Sequence, residues 1–244
     1  MSYYRKAVAF IDLLGFKEIN TDTGAKPTIH NLLTSYSDLV RIVNDINHKY
    51  ELNCEIRLFS DSVYFSYPIE NIYELLFDLR TISYEVAKKG FFFRGAITID
   101  NIFDRNEIMY GPAIIKAYEL ESKIATYPRI IIDNSVINTI EQNSQYENIK
   151  THKLILKDFD NKYFINFLYK NSVETISPSD IRMIKKHISK SYRNNIKTPN
   201  VLLKYLWLIN YFNQNLQELK KSFPYYDDIS KIRKINCLLK YSSI

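Results

Sequence analysis

Glycine and proline are scarce in this chain, at 5 and 7 of 244 residues. So few glycines make a Gly-rich phosphate cradle difficult to build, and neither a Walker A sequence nor Gly-x-Gly-x-x-Gly occurs. Cysteine is scarcer still. Cys54 and Cys237 sit in apolar contexts without metal-ligand spacing and read as buried free thiols. The four histidines, His30, His48, His152 and His187, lie in polar contexts without a Cys or carboxylate pattern, so a zinc or catalytic-histidine role is not expected. Ser60 and Ser62 lack a nucleophile-elbow motif and a credible triad. No segment reaches 18 consecutive apolar residues, and Met1-Ser-Tyr-Tyr-Arg-Lys leads straight into a short strand. Neither a membrane span nor a signal peptide is expected, which argues for the cytoplasm.

What the chain does have is apolar and aromatic weight, at 46% and 14% of residues. That is enough for a full core and too much for a disordered chain. The net charge of +6 is unevenly placed. Residues 181–244 hold 13 Lys and Arg against 3 Asp and Glu, whereas residues 1–180 hold 20 against 24. A basic tail could touch nucleic acid or an acidic partner. Its charges alternate with Leu, Ile and Tyr at helical spacing, and no zinc-finger, RNP or dense Arg pattern is present. The tail therefore reads as a solvated helical face, and nucleic acid is not an expected partner.

Hydrophobic periodicity divides the chain into elements. Lys6–Leu13 reads as a buried strand. An amphipathic helix follows Pro27, with Leu32, Leu33, Tyr36, Leu39, Val40, Val43 and Ile46 along one side. Cys54–Phe59 and Ser62–Tyr67 read as strands joined at a tight Ser60-Asp61 corner. Helical period returns over Ile72–Ala87 and ends near Gly90. Strands are expected at Phe91–Ile99, Glu107–Tyr110 and Arg129–Asp133, with a helix at Ala113–Ile124. This order contains a β-α-β-β-α-β core, a split sheet with its helices on one face. Beyond it come a short helix at Ser135–Gln142, a hairpin of Lys153–Leu156 with Tyr163–Phe167, and helices at Ser179–Ser191, Val201–Lys221 and Ile229–Lys240. Trp207, the only tryptophan, marks a packing helix or a dimer contact. The expected organisation is a core over 1–140, with a hairpin and mostly helical extension over 141–244 packed on it.

Two stretches carry the chemistry: Phe10-Ile-Asp-Leu-Leu-Gly-Phe16 and Phe59-Ser-Asp61. Each puts an aspartate, Asp12 or Asp61, at the end of an apolar, strand-like run. Two adjacent strands could aim these carboxylates at one point, which suits a hard divalent cation and a nucleotide's phosphates. Read singly, Asp12 could cap a turn and Asp61 could be an ordinary hairpin residue. Arg94 lies in a strand that looks buried, and a buried arginine normally needs a partner or a ligand. Glu119 and Glu121 read as solvated helix carboxylates or partners for Lys123.

In these stretches the chain resembles the catalytic domain of class III nucleotidyl (adenylyl and guanylyl) cyclases. The first stretch looks like that family's first metal motif and Phe59-Ser-Asp61 like its second. Arg94-Gly-Ala-Ile97, Tyr110-Gly-Pro-Ala-Ile-Ile-Lys-Ala-Tyr-Glu-Leu-Glu121 and Arg129-Ile-Ile-Ile-Asp133 follow in the family's order, so the likeness covers roughly residues 5–135. It implies an α+β fold: a ferredoxin-like palm with a βαββαβ core, followed here by a helical C-terminal extension. It also implies conversion of a nucleoside triphosphate to a 3′,5′-cyclic nucleotide and pyrophosphate by two Mg²⁺ or Mn²⁺ ions held by Asp12 and Asp61. Leu14, Gly15, Phe16 and Lys17 would then bind the phosphates, in a homodimer without membrane attachment.

The departures from the family pattern are specific. Arg57 stands where an adenylyl cyclase carries a base-reading lysine, and Ile108 where a second base-reading residue is usual. Ile115 replaces the ribose-orienting asparagine and Glu119 the transition-state arginine. Cyclisation of ATP or GTP by the usual residues is therefore not expected. Three readings follow. One is a divergent cyclase that uses another cation, from among Arg57, Arg94, Lys116, Lys123 and Arg129, with Arg94 and Lys116 as the catalytic candidates. Bacterial antiphage pyrimidine cyclases use the same domain with an altered base-reading position, so this resemblance extends to cyclic-nucleotide signalling in antiviral defence. Another is a nucleotide-binding regulatory module that kept the metal pair and lost turnover. The third is a different metal-dependent phosphoryl-transfer enzyme on a palm-like scaffold.

Overall fold

A computed structural model describes residues 3–14, 34, 37, 41, 55–59, 62–105, 108–142, 147, 149, 153–168 and 177–237. Most of the helix expected after Pro27 lies outside these residues, as do Gly15, Phe16, Lys17, Cys54 and Asp61. The chain forms two compact units, Met1–Phe167 and Leu168–Ile244.

The first unit is built on a mixed sheet. Its strands are β1 (Tyr4–Leu13), β2 (Glu55–Phe59), β3 (Ser62–Pro68), β4 (Phe93–Arg105), β5 (Ile108–Tyr110), β6 (Ile130–Ile132), β7 (Ile155–Lys157) and β8 (Tyr163–Ile165). They run in the order β2-β3-β1-β4-β6-β8-β7, with β5 paired to β4. The β2-β3-β1-β4 segment is antiparallel throughout and has the ferredoxin-like strand order, so the unit has the α+β class the sequence suggests. β4 and β6 are parallel. The connection between them carries helix α2 (Pro112–Lys123), and β6 leads into α3 (Asn134–Glu141). Helix α1 (Ile72–Lys88) joins β3 to β4.

β1 sits between β3 and β4, is covered on both faces, and is apolar without interruption from Ala7 to Ile11, as a doubly buried strand must be. Its alternation sorts the faces. Ala7, Ala9, Ile11 and Leu13 join Leu75, Leu76, Leu79 and Ile82 of α1 in the main core. Val8 and Phe10 point the other way, under Ala113 and Ala117 of α2. Asp12 shares the parity of Val8 and Phe10, so it belongs to the α2 side. The expectation put the helices of the core on one face. α1 takes that face, while α2, outside the core, covers the opposite one.

Helix α1 owes its ends to sequence as well as to packing. Ile72, Leu75, Leu76, Leu79, Ile82 and Val86 form its apolar stripe. Gly90, at φ +91°, ends it: Gly90 N donates to Ala87 O at 3.0 Å and Phe91 N to Val86 O at 3.1 Å. This is the paired closure of a Schellman motif, for which glycine has no steric penalty. Gly95 has a different reason. A Cβ there would lie 2.5 Å from the Phe10 carbonyl oxygen, so β1 and β4 could not close beside Asp12 with any larger residue.

The unit extends past the boundary at 140 expected from sequence. β8 pairs antiparallel with β6, and β7 pairs with β8, so the hairpin completes the sheet. The second unit begins at Leu168 and contains α4 (Pro178–Asn194), α5 (Pro199–Ser222) and the short α6 (Asp227–Ser230). Ser177 caps α4 by accepting from Asp180 N at 3.3 Å, with Pro178 in the first turn. α4 packs on α5, and Trp207 stacks on Tyr211 with ring centroids 5.2 Å apart.

Two expectations fail in this unit. The helix expected over Ile229–Lys240 is not found among the described residues: α6 ends at Ser230 and the chain is non-helical from there to Cys237. The Asn213 amide supplies the alternative bonds. It donates to Ile235 O at 3.0 Å and accepts from Ile235 N at 2.8 Å, holding an irregular segment while Ile232 and Ile235 are buried. Cys237, expected to be buried, is exposed because it follows that last buried anchor.

Candidate functional site

β1, β3 and β4 bring their functional residues together through register. Asp12 is the direct partner of Ser62 on one side and of Arg94 on the other. Arg94 Nη2 donates to Asp12 Oδ2 at 3.2 Å. The same guanidinium pairs with Glu121 near the end of α2. The Asp12 and Arg94 side chains retain 22% and 23% of their exposure, whereas Glu121 retains 4%. The result is a half-open carboxylate–guanidinium–carboxylate cluster at the end of the central strand. Leu14 extends the β1–β4 ladder past Asp12, its N–H donating to Phe92 O at 2.9 Å.

Glu121 corrects a sequence reading: it is neither solvated nor the partner of Lys123. Ala113, Ala117 and Glu121 recur every four residues and are the buried residues of α2, so the small side chains let the helix approach the sheet and deliver the carboxylate to Arg94. That i, i+4, i+8 ladder was present in the sequence. Glu119, one step round the helix, is exposed and pairs with Lys123 at 2.7 Å, as expected.

Aromatic rings border the cluster. Phe10 lies 4.6 Å from the Tyr64 ring and 5.6 Å from that of Tyr118. Burial pushes the Tyr64 phenol above its ordinary value, and the charges of Tyr118 and Glu121 add to the rise. Sequence reasoning singled out neither tyrosine, although each sits on an element that it had placed.

Other candidates take separate positions. Arg57 Nη2 donates to Asp104 Oδ1 at 3.1 Å, and Lys6 Nζ to Asp104 Oδ2 at 3.3 Å. The Asp104 side chain is fully buried, and this three-residue network was not foreseen. Lys116 Nζ donates to Asp133 Oδ2 at 2.6 Å. Asp133 also caps α3 and accepts from Ser135 Oγ at 2.5 Å and Thr98 Oγ1 at 3.0 Å. Burial raises its carboxyl, but the hydrogen bonds from Lys116, Ser135 and Thr98 outweigh it and hold the group below the usual range. Arg129 is 1% exposed and is gripped by Asp158 and Asp160 of the β7–β8 turn, a structural clasp and not the catalytic cation considered from sequence. Ile108 and Ile115 are solvent-facing, at 59% and 61% exposure. Gly15, Phe16, Lys17 and Asp61 lie outside the described residues.

Among the described residues, no group of three His, Cys, Asp or Glu side chains could hold a metal ion, and no helix is long and apolar enough to cross a membrane. A scan against protein-family models finds no match, and a search of curated proteins finds none. Solved structures do show similarity. A bacterial light-regulated adenylyl cyclase aligns at TM-score 0.49 and 13% identity, over 76% of this chain and 58% of that one. The monomeric guanylyl cyclase domain of the RhoGC fusion protein from the aquatic fungus Blastocladiella emersonii aligns at TM-score 0.49 and 15% identity, over 69% and 96%. The guanylate cyclase domain of RhGC from Catenaria anguillulae, solved with GTP, aligns at 0.44 and 14%, over 68% and 98%. The chain thus spans less than two thirds of the first of these proteins and nearly the whole of the other two.

Proposed function

We propose that this chain is a divergent nucleotidyl cyclase that forms a 3′,5′-cyclic nucleotide and pyrophosphate from a nucleoside triphosphate. The observation that carries the reading is the register of Asp12 between Ser62 and Arg94, with Glu121 closing over the arginine. Asp61 is the sequence neighbour of Ser62, and Asp12 and Asp61 are the proposed ligands of two Mg²⁺ or Mn²⁺ ions.

The chemistry of the donors fits such ions. Magnesium is typically held by one or two carboxylates together with substrate phosphates, so a full cage of protein ligands is not required. Asp12, Arg94 and Glu121 sum to one negative charge and Asp61 makes it two, so the triphosphate would supply the remaining negative charge that two divalent cations need. When bound, the ions supply Lewis acidity and lower the pKa of a ribose hydroxyl. Asp12 orients the metal-binding edge of the site. Arg94, fixed by its two carboxylates and still partly exposed, donates to an oxygen of the reacting phosphate, where a positioned cation contributes several kcal/mol. Leu14, Gly15, Phe16 and Lys17 bind the outer phosphates, Arg57 reads the base edge, and Lys116 serves as a second cation held by Asp133. A homodimer completes the site.

One observation favours a second reading. Arg94 is already shared by two carboxylates, and α2 presents Ile115 and Glu119 to solvent, which suits a regulatory module that binds a nucleotide without turning it over. A single experiment separates the two. The protein is incubated with ATP, GTP, CTP and UTP plus Mn²⁺, and cyclic products are sought by mass spectrometry. A cyclase yields product that Asp12→Asn and Asp61→Asn each abolish. Mn²⁺-dependent nucleotide binding without product supports the regulatory module, and turnover that survives both substitutions removes the site assignment.

A further inference from the structure

The second unit holds 14 Lys and Arg against 5 Asp and Glu, and α4 concentrates much of this excess. Its inner stripe, Ile181, Ile184, Ile188 and Tyr192, is buried. On the outer side, Arg182, Lys186, Lys190 and Arg193 are all exposed, at spacing i, i+4, i+8 and i+11. They form a basic ridge roughly 16 Å long at 1.5 Å per residue. Beside it, half-buried Lys185 lies close enough to Arg233 and Lys220 for their charges to act on it. Burial first, then those two cations, lowers the Lys185 ammonium from its ordinary value.

The backbone holds these like charges together. Lys220 Nζ donates to Ser230 O at 2.7 Å, and Arg182 Nη2 to Asp228 O at 3.2 Å. The two bonds between Asn213 and Ile235 fix the path of the segment carrying Arg233. From the start of α4 to Cys237 only Asp180, Glu218, Asp227 and Asp228 are acidic; Asp180 lies in the first turn of α4, Glu218 pairs with Lys221 and Asp228 with Arg182. Cations drawn from three elements and left in excess favour an anion at this surface.

We propose that α4, Lys220 and Arg233 form a docking surface for the phosphodiester backbone of a nucleic acid. The ridge offers repeated point charges along a line, which suits a polymer of phosphates better than one small anion. A membrane is the weaker fit, because an interfacial helix must keep its apolar side for the bilayer and α4 has buried that side. An acidic protein is also weaker: among large apolar side chains of α4 only Met183 is well exposed, leaving no desolvated anchor for such an interface.

The test measures binding of the full chain to labelled 25-mers, single-stranded RNA and duplex DNA in separate arms, from 50 to 200 mM salt. Binding in either arm supports the surface, and the tighter arm names the nucleic acid. With four phosphates neutralised on a single strand, affinity should fall on the order of 50-fold across that range. Lys186→Glu with Lys190→Glu should weaken binding at least tenfold and flatten the salt slope. Arg5→Glu with Lys162→Glu, exposed positions in the first unit, changes net charge equally and should have less than a twofold effect. Unchanged melting temperatures establish that both variants are folded. Equal loss in the two double variants would show a net-charge effect and overturn the surface. So would failure to bind either nucleic acid at 50 mM salt, including the case where vesicles rich in anionic lipid bind instead.

Discussion

Two arginines at the start of neighbouring strands, Arg94 and Arg129, are each gripped by two carboxylates, yet they are built for different ends. Their backbones touch: Gly95 N donates to Arg129 O at 3.1 Å. The Arg129 side chain has no exposure, and its guanidinium also lies 5.4 Å from the Tyr127 ring centroid. Both of its carboxylates come from one tight turn, Asp158 and Asp160. The Arg94 side chain is 23% exposed, and its carboxylates come from a strand end and a helix far apart in sequence. An arginine sealed on all sides can only hold structure together. One with an open edge and a partly exposed carboxylate can meet a ligand.

The contrast is broken most directly at the sealed arginine. Arg129→Met strands two carboxylates in a turn and removes the cation beneath them, and should cost about 3–5 kcal/mol in a denaturant titration. A cost below about 1 kcal/mol would mean that the clasp is a surface feature.

Asp78 supplies a third kind of buried charge, one held by a neutral donor. It is 5% exposed and accepts from the Tyr67 hydroxyl at 2.8 Å. Burial raises its carboxyl to about 6, partly offset by the Tyr67 bond and increased again by Glu74. The folded state therefore keeps a proton that the unfolded chain releases near the ordinary value of 3.8, and stability falls as pH rises between those values. Asp78→Asn should remove that part of the pH dependence and raise stability at pH 7 by up to about 3 kcal/mol. Unfolding free energies measured at pH 4, 5, 6 and 7 check the sign, and a variant with the parent's slope across that range would sink the assignment.

The open arginine should show the smallest effect on folding and the largest on ligand. Arg94→Met leaves Glu121, 4% exposed, without its cation, but the open edge beside Arg94 lets water reach the carboxylates, so a loss of about 2 kcal/mol is expected, less than for Arg129. Adding Glu121→Gln should restore part of that stability without restoring Mn²⁺-dependent nucleotide binding. If the double variant binds nucleotide as the parent does, Arg94 is as purely structural as Arg129.

Much of the frame was legible in the sequence. The continuous apolar run of β1, the periodic stripe of α1 and the stop at Gly90 reflect local rules that do not depend on distant partners. Arg94 was marked as a buried cation in need of a partner, and Asp12 as the end of a strand. The identity of the partner was less accessible. Glu121 looks like any helix carboxylate until the Ala113–Ala117 ladder is seen to face the sheet. The segment after α6 was misread because Ile232 and Ile235 fit a helical period, while the Asn213 amide that replaces helical bonding lies about twenty residues away.

Sequence by itself determined most of the described strands and helices, and that Asp12 lies at the end of the central strand, because strand alternation and helix capping act over a few residues. Tertiary structure alone decided which charges meet. It gave Arg94 to Asp12 and Glu121, Arg129 to Asp158 and Asp160, Arg57 and Lys6 to Asp104, and Lys116 to Asp133. A charge taken out of water is stable only beside its complement, and the complement is chosen by register and packing between segments distant along the chain.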